Sequence, residues 1–377
     1  MSKTSPAHGP SIGFVGDLCL SLDVINTVRH YGPEFPFERA RPLYEQLDLV
    51  VGNLECCITD DGPNEPPQRP PLSTPIDVGE ALKFSGIDAF GLANNHVMDF
   101  GANGLRSTME HLDKCGARYF GAGMTLGEAE APLGIEIAGL RLALLGASEF
   151  TGSWALEGRA GVAPLSERRL LKRIIEAKKK CDFVIMCLHA DLEFVRHPAP
   201  WRQRLCRLLI EQGADVVIQH HPHVCQGLER YGDGLIVYSL GNHLFQVRGL
   251  EYLDRPGTDN SMLLQVDLSR RDGSIAVNAV AHHMRIDWTH RPVPCAPGEA
   301  DYQRQELEEL SGELLDRRAV RRVWRATCRQ QICDLVFSSY YALRKRGLVA
   351  MLKENIALLR TPEHRRWIYG FLSAGFL

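Results

Sequence analysis

Two histidines separated by one proline, His221 and His223, follow the apolar run Val216-Val217-Ile218 and the polar pair Gln219-His220. Imidazoles at that spacing, stiffened by Pro222, suit ligation of a metal ion. Alone, the cluster would also fit a solvated turn. Recurrence decides against that. Ile12 to Asp17, Leu49 to Asn53 and Glu55, Ala89 to Asn95 and His96, Phe183 to His189, and Ile236 to Asn242 each run from apolar residues into a carboxylate, carboxamide or imidazole. Packing does not explain so many polar tips, because a buried polar group is costly unless the site uses it. Asp17, Asn53, Glu55, Asn95, His189, His221 and His223 are therefore the candidate metal ligands. His96, next to Asn95, is the candidate for moving a proton, and Asp99 would orient that imidazole or cap the next helix. Asp191 and Glu193 stand close enough in sequence to His189 to brace an imidazole. Asn242, Glu193 and Arg69 are expected to meet substrate.

These residues need a scaffold of strands that deliver their carboxyl ends to one place. Val216 to Gln219 has the length and β-branching of a buried strand, as have Ser11 to Asp17, Asp48 to Glu55, Asp88 to Leu92, Cys181 to His189 and Leu235 to Leu240. In an α/β sheet, ligands bind where such strands end. Alternation puts Asn53 and Glu55 on one face. Gly134 to Ala138 and Leu140 to Ala147 read as a hairpin across Gly139, and Ser261 to Leu268 with Ser274 to Ile286 as an antiparallel pair that closes the sheet. Helical spacing marks 76–85, 103–115, 166–180 and 201–212. Residues 60–76 carry a proline every few positions and cannot be regular structure; this loop, which contains Arg69, is either a cover or a passive insertion. From about Ala296 the pattern turns helical and Arg-rich to the end. That division gives a main domain over 11–288 and a helical extension over 296–377. The extension is a candidate surface for a protein partner, with Trp324, Phe337, Tyr340 and Tyr341 among its aromatics. His282 and His283 lie outside the motifs and read as structural or surface residues.

The chain has 377 residues and a formal net charge of -3, so no basic surface argues for nucleic acid. Neither a secretory leader nor an apolar run long enough for a membrane anchor stands out. Eleven scattered cysteines without a C-x-x-C pair read as free thiols of a cytoplasmic protein.

Gly16-Asp17, Gly52-Asn53-Leu54-Glu55, Ala93-Asn94-Asn95-His96 with Asp99 and Gly101, His189 with Glu193, His220-His221-Pro222-His223-Val224 and Tyr238-Ser239-Leu240-Gly241-Asn242 together resemble the CapA, or poly-gamma-glutamate capsule synthesis, family. That family is similar to the calcineurin-like metallophosphoesterases, and the resemblance runs over roughly 11–288. It implies an α/β fold of four layers: a sandwich of two mixed sheets flanked by helices, followed here by the helical extension. It also implies two divalent metal ions, of Mn, Fe or Zn type, held by Asp17, Glu55, Asn95, His189, His221 and His223, with His96 as general acid. The implied activity is metal-dependent hydrolysis of a phosphoester. A part in making or releasing a poly-gamma-glutamate-like or other amide polymer is the alternative, and a non-catalytic scaffold the third. Either substrate, small molecule or polymer, would be anionic. Three departures stand out. Cys19 takes the place of a usual histidine, Gln219 that of a usual glycine, and the usual His-Trp-Gly-x-Glu-Tyr is here His189-Ala190-Asp191-Leu192-Glu193-Phe194. No G-x-x-x-x-G-K-[ST] loop for ATP occurs.

Overall fold

The computed structural model describes residues 9–62, 71–271, 274–349 and 352. In chain order the main strands are β1 (Ser11–Leu18), β2 (Leu49–Leu54), β3 (Ala89–Gly91), β4 (Arg118–Phe120), β5 (Leu133–Ile137), β6 (Leu140–Ser148) and β7 (Phe183–His189). They continue with β8 (Val216–His220), β9 (Leu228–Tyr231), β10 (Gly234–Val237), β11 (Asn242–Leu244), β12 (Asn260–Arg271), β13 (Ser274–Ile286) and β14 (Pro292–Pro294). The main helices are α1 (Asp23–Tyr31), α2 (Gly101–Lys114), α3 (Glu167–Lys178), α4 (Pro200–Glu211), α5 (Pro297–Leu315) and α6 (Arg317–Arg346).

Eight strands form one sheet in the order β14-β13-β12-β1-β2-β3-β4, with β11 also paired to β1. Six form the other in the order β9-β10-β8-β7-β6-β5. Both are mixed. The β1-β2-β3-β4 and β6-β7-β8-β10 runs are parallel, while β12, β13, β9 and β5 pair antiparallel to their neighbours. Period-two alternation explains the layering. Ile12, Phe14, Leu49 and Val51 of the first sheet and Leu142, Leu144, Phe183, Ile185, Val216 and Ile218 of the second share one buried cluster between the sheets. The alternate residues face outward. Val50 and Phe90 pack under α1 and α2, and Val184, Met186 and Val217 pack under α3 and α4. Four layers result: helices, sheet, sheet, helices.

The helices form for local reasons. In α3 the buried Leu170, Ile174 and Ala177 lie on one stripe, and α4 opens on Pro200, whose missing N–H is harmless there. The β5–β6 turn places Ala138 at φ 48° and Gly139 at φ 74°, the left-handed pair of a tight hairpin. The helix expected over 76–85 splits into an α-helical turn at Ile76–Gly79 and a 3-10 stretch at Glu80–Phe84. The polar-laden β9 and the helix α1 carry no strong signal in sequence.

α5 and α6 pack on the core. Leu314 and Val320 join the cluster outside the second sheet, and Trp324 meets Trp201 edge to face at 4.7 Å. Tyr340 is exposed; the side chains of Phe337 and Tyr341 lie outside what is described. No helix among the described residues is long and apolar enough to cross a membrane.

Candidate metal centre

The inter-sheet face turns polar at the carboxyl ends of its strands. In β2 the inward residues Leu49 and Val51 are followed by Asn53 and then Glu55, in β7 Ile185 and Cys187 by His189, and in β8 Ile218 by His220. β1 reaches the same face by a different route. Strict alternation from Phe14 would turn Asp17 outward, but the pairing moves from Phe14–Val51 to Asp17–Asn53, leaving one extra residue in β1. This bulge returns Asp17 to the interior. It needs Gly16, because a Cβ there would lie 2.0 Å from the Gly241 carbonyl oxygen.

After β10 the chain crosses from the second sheet to the first, so that β11 runs beside β1 with Asn242 opposite Asp17. Asn242 is fully buried. Its amide nitrogen donates to the carbonyls of His223, at 3.2 Å, and Thr258, at 3.0 Å, so its oxygen faces His223 Nδ1 at 2.8 Å. That fixes the proton on Nδ1 and presents Nε2 as a ligand atom. Asn242, expected to meet substrate, lies here against a candidate ligand.

Asn53 is held by a similar network. The Asn94 oxygen accepts from the backbone N–H groups of His96 (3.0 Å) and Val97 (2.9 Å), which leaves its nitrogen donating to the Leu54 carbonyl and the Asn53 oxygen. Asn53 must then turn its own nitrogen inward, where it donates to Asp17 Oδ1 at 2.8 Å and lies 3.3 Å from His189 Nδ1. In this arrangement its N–H groups, not its oxygen, face Asp17 and His189.

The remaining ligand candidates converge. Glu55, His221 and His223 form one group and Asp17, Glu55 and His189 another, the ligand atoms of each within 4.8 Å of one another. Glu55 belongs to both. Asn95 Oδ1 joins the second group, 2.8 Å from His189 Nε2, which is itself 3.4 Å from Glu55 Oε1. Neighbouring donors on a common ion with bonds of about 2.1 Å stand about 3.0–3.4 Å apart, so the spacing fits. Asp17 and Glu55 are fully buried, and the other members are at most 4 % exposed. Burial alone would raise the Asp17 carboxyl, but His220, by hydrogen bond and charge, and His223 hold it below the usual range. Burial drives His189 well below an ordinary imidazole, against the opposing pull of Asp17, so it is neutral with a lone pair to offer.

His221 (φ 98°) and His223 (φ 58°) both adopt left-handed backbone, as do Asp191 (φ 89°) and Phe194 (φ 61°) in the facing loop. Such strain costs about 1–3 kcal/mol per residue and persists where surroundings impose it. Here the Phe194 N–H donates to the Pro222 carbonyl at 2.8 Å, and the His221 N–H to Asp17 Oδ2 at 3.2 Å.

At the rim, His96 Nδ1 lies 2.7 Å from Asp99 Oδ2, which also accepts from the Leu72 N–H at 2.9 Å. No side chain caps the start of α2, and Asp99 faces the His96 imidazole. Glu193 Oε1 stands 3.8 Å from His221 Nε2. Asp191 braces backbone, accepting from the Ala199 N–H at 2.8 Å, and its own N–H donates to Glu149, the buried partner of Arg202. Burial pushes Asp191 up to about 6. Arg69 lies outside the described residues. His220, given no role from sequence, places Nδ1 3.2 Å from Asp17 Oδ1; its position two residues beyond Ile218 was the available signal. Cys19 belongs to neither ligand group, and its buried free thiol shares a hydrogen bond with that of Cys56.

The family described as bacterial capsule synthesis protein PGA_cap matches residues 11–247. The capsule biosynthesis protein CapA of Bacillus anthracis is 30% identical over 306 residues, taking in 79% of this chain and 72% of the relative. The PGA biosynthesis protein CapA of Bacillus subtilis (strain 168) is 30% identical over 239 residues, 62% of this chain and 63% of the relative. Among solved structures, the calcineurin-like phosphoesterase YfkN from Bacillus subtilis aligns over 84% of this chain and 99% of that one, with TM-score 0.45 and 14% identity.

Proposed function

Since this chain belongs to the bacterial capsule synthesis protein family PGA_cap, we propose that it is a metal-dependent hydrolase working on an anionic phosphoester at a centre for two divalent ions. The observation that carries this reading is the pair of buried ligand groups sharing Glu55, with the His96–Asp99 pair at their rim. The donors are all N and O, which suits Mn, Fe or Zn. Ions bound there would polarise a phosphoryl oxygen and make hydroxide available near neutral pH.

The chain's own residues do the rest. Asp17, Glu55, Asn95, His189, His221 and His223 hold the ions. Asn53, Asn242 and the bulge at Gly16 keep that set in place. His96 starts as the imidazolium, favoured by the Asp99 carboxylate at Nδ1, and hands its Nε2 proton to the leaving oxygen, ending as the neutral ring with its proton on Nδ1. The names of the relatives favour a second reading, in which the same centre acts on an amide-linked polymer.

The test is elemental analysis of the purified chain together with turnover on phosphoester and γ-glutamyl panels. Two ions per chain with phosphoester turnover support the first reading, and γ-glutamyl turnover alone supports the second. No metal after incubation with Mn or Zn overturns both. His96→Ala should keep its metal and lose about 10²–10⁴ in kcat; undiminished turnover would remove His96 from the mechanism.

A further inference from the structure

The segment between β11 and β12 packs beside His223, with Phe245 5.2 Å from its ring, and carries an arginine that the ligand set does not use. Phe194 stacks on His223, ring centroids 6.0 Å apart and planes 28° apart, and Tyr252 meets Phe194 edge-on at 5.2 Å. The guanidinium of Arg255 lies 4.7 Å from the Phe194 ring centre and 5.8 Å from that of Tyr252. Its Nε donates to the Tyr252 carbonyl at 2.9 Å, so the outer edge of the guanidinium is aimed by its own backbone. The turn is fixed as well. Thr258 Oγ1 donates to the carbonyls of Leu253 and Arg255, each at 2.8 Å, and the Thr258 carbonyl receives Asn242, the residue that orients His223.

Other arginines near the site are neutralised: Arg248 by Asp259, Arg196 by Glu306 and Arg202 by Glu149. Arg255 is exposed and has no carboxylate partner among the described residues. A cation stacked on two aromatics loses little freedom on binding an anion, and its planar fork suits a carboxylate or phosphate. It stands one aromatic ring away from a metal-binding histidine.

We propose that Arg255, held by Phe194 and Tyr252, is a specificity-determining residue that receives a second anionic group of the substrate, beyond the group at the metal centre. This rests on the hydrolase reading above and extends it. The preferred substrate carries two separated anionic groups, and a small ester with a single charged group leaves the Arg255 contact unmade.

The test is calorimetric binding to the Mn-loaded full chain, without turnover, of methylphosphonate and of carboxyalkylphosphonates of growing chain length. In the wild type, affinity should peak at one intermediate length, about tenfold tighter than methylphosphonate, as one charge-assisted contact gives. Arg255→Gln should abolish that peak with methylphosphonate affinity and metal content unchanged, and Arg255→Lys should retain part of it. Added salt should lower the peak. A peak that survives Arg255→Gln, or equal weakening of all the phosphonates, overturns the subsite but leaves the hydrolase reading intact. Failure of methylphosphonate to bind the Mn-loaded wild type would instead overturn the hydrolase reading, and the subsite with it.

Discussion

Glu55→Gln separates the shared-ligand arrangement from a merely polar core. Asp17 and Glu55 are both fully buried and their ligand oxygens lie within 4.8 Å. At an effective dielectric of about 20, two like charges at that range repel by about 3 kcal/mol. In chelator, the variant should therefore be more stable than the wild type by up to that amount. Unfolding entropy is about 2.1 cal/mol/K per residue, so for 377 residues the gain corresponds to a Tm rise of about 4 °C. With Mn or Zn at about a thousand times Kd the order reverses. Each bound ion then adds about 4 kcal/mol, so the wild type should climb by about 10 °C for two ions. The variant has lost the carboxylate common to both groups and should not climb. His189→Ala, which touches one group only, should keep about half of the rise. Thermal unfolding by circular dichroism in chelator and in excess metal, with elemental analysis, reads all of this. A variant that keeps the full metal-dependent rise refutes the shared role of Glu55. A variant that melts several kcal/mol lower in chelator shows that the carboxylate ties the layers together by hydrogen bonding, and the charge argument fails.

Three further outcomes follow from particular contacts. Gly16→Ala drives a Cβ against the Gly241 carbonyl and should cost about 1–3 kcal/mol in denaturant melts while weakening metal uptake, because Asp17 moves with the bulge. Arg202→Met leaves the buried Glu149 and the half-buried Asp191 without their counter-charge and should cost about 3–5 kcal/mol in the same melts; a neutral result would show that the charge is not needed. His243 is fully buried between Tyr44 and Ser261, and burial depresses its pKa from 6.5 to about 3. Below 6.5 the unfolded chain binds the proton that the folded one refuses, so this stability is complete above 6.5 and is lost as pH falls toward 3. Between pH 7 and 5 the loss is about 2 kcal/mol, and His243→Gln should be less pH-sensitive by that amount.

The strand ends were legible because alternation and composition coincide there: Leu49, Val51, Asn53 and Glu55 share one parity, and that rule carries through His189 and His220. Asp17 was found by its residue type, although parity alone would have turned it outward; the bulge that returns it depends on Gly241, more than two hundred residues away. Asn53 and Asn242 were recognised as polar tips, but the partners that hold them were not. The direction of a carboxamide is settled by what lies at its other end, here Asn94 and the Thr258 carbonyl, and neither partner can be read from local spacing. Arg255 left no sequence signal, because an arginine in a loop gains meaning only from the rings that flank it. The four layers follow from the strand pattern, whereas the crossing from β10 to β11 requires knowing that Gly241 takes φ 70° and turns the chain into the other sheet.

That crossing has a consequence for how the protein matures. Contacts such as the His221 N–H to Asp17 span 204 positions along the chain, and both ligand groups draw on both sheets. Neither sheet alone could assemble either group. Because such long-range closures come late in folding, a nascent chain still lacking residues 221–242 would hold no competent site. On the proposed metal-centre reading, cation capture would then be the last event of assembly, reserved for molecules whose two halves have already met. A bound ion would serve as a seal on that meeting, slowing the parting of the layers more than it speeds their joining.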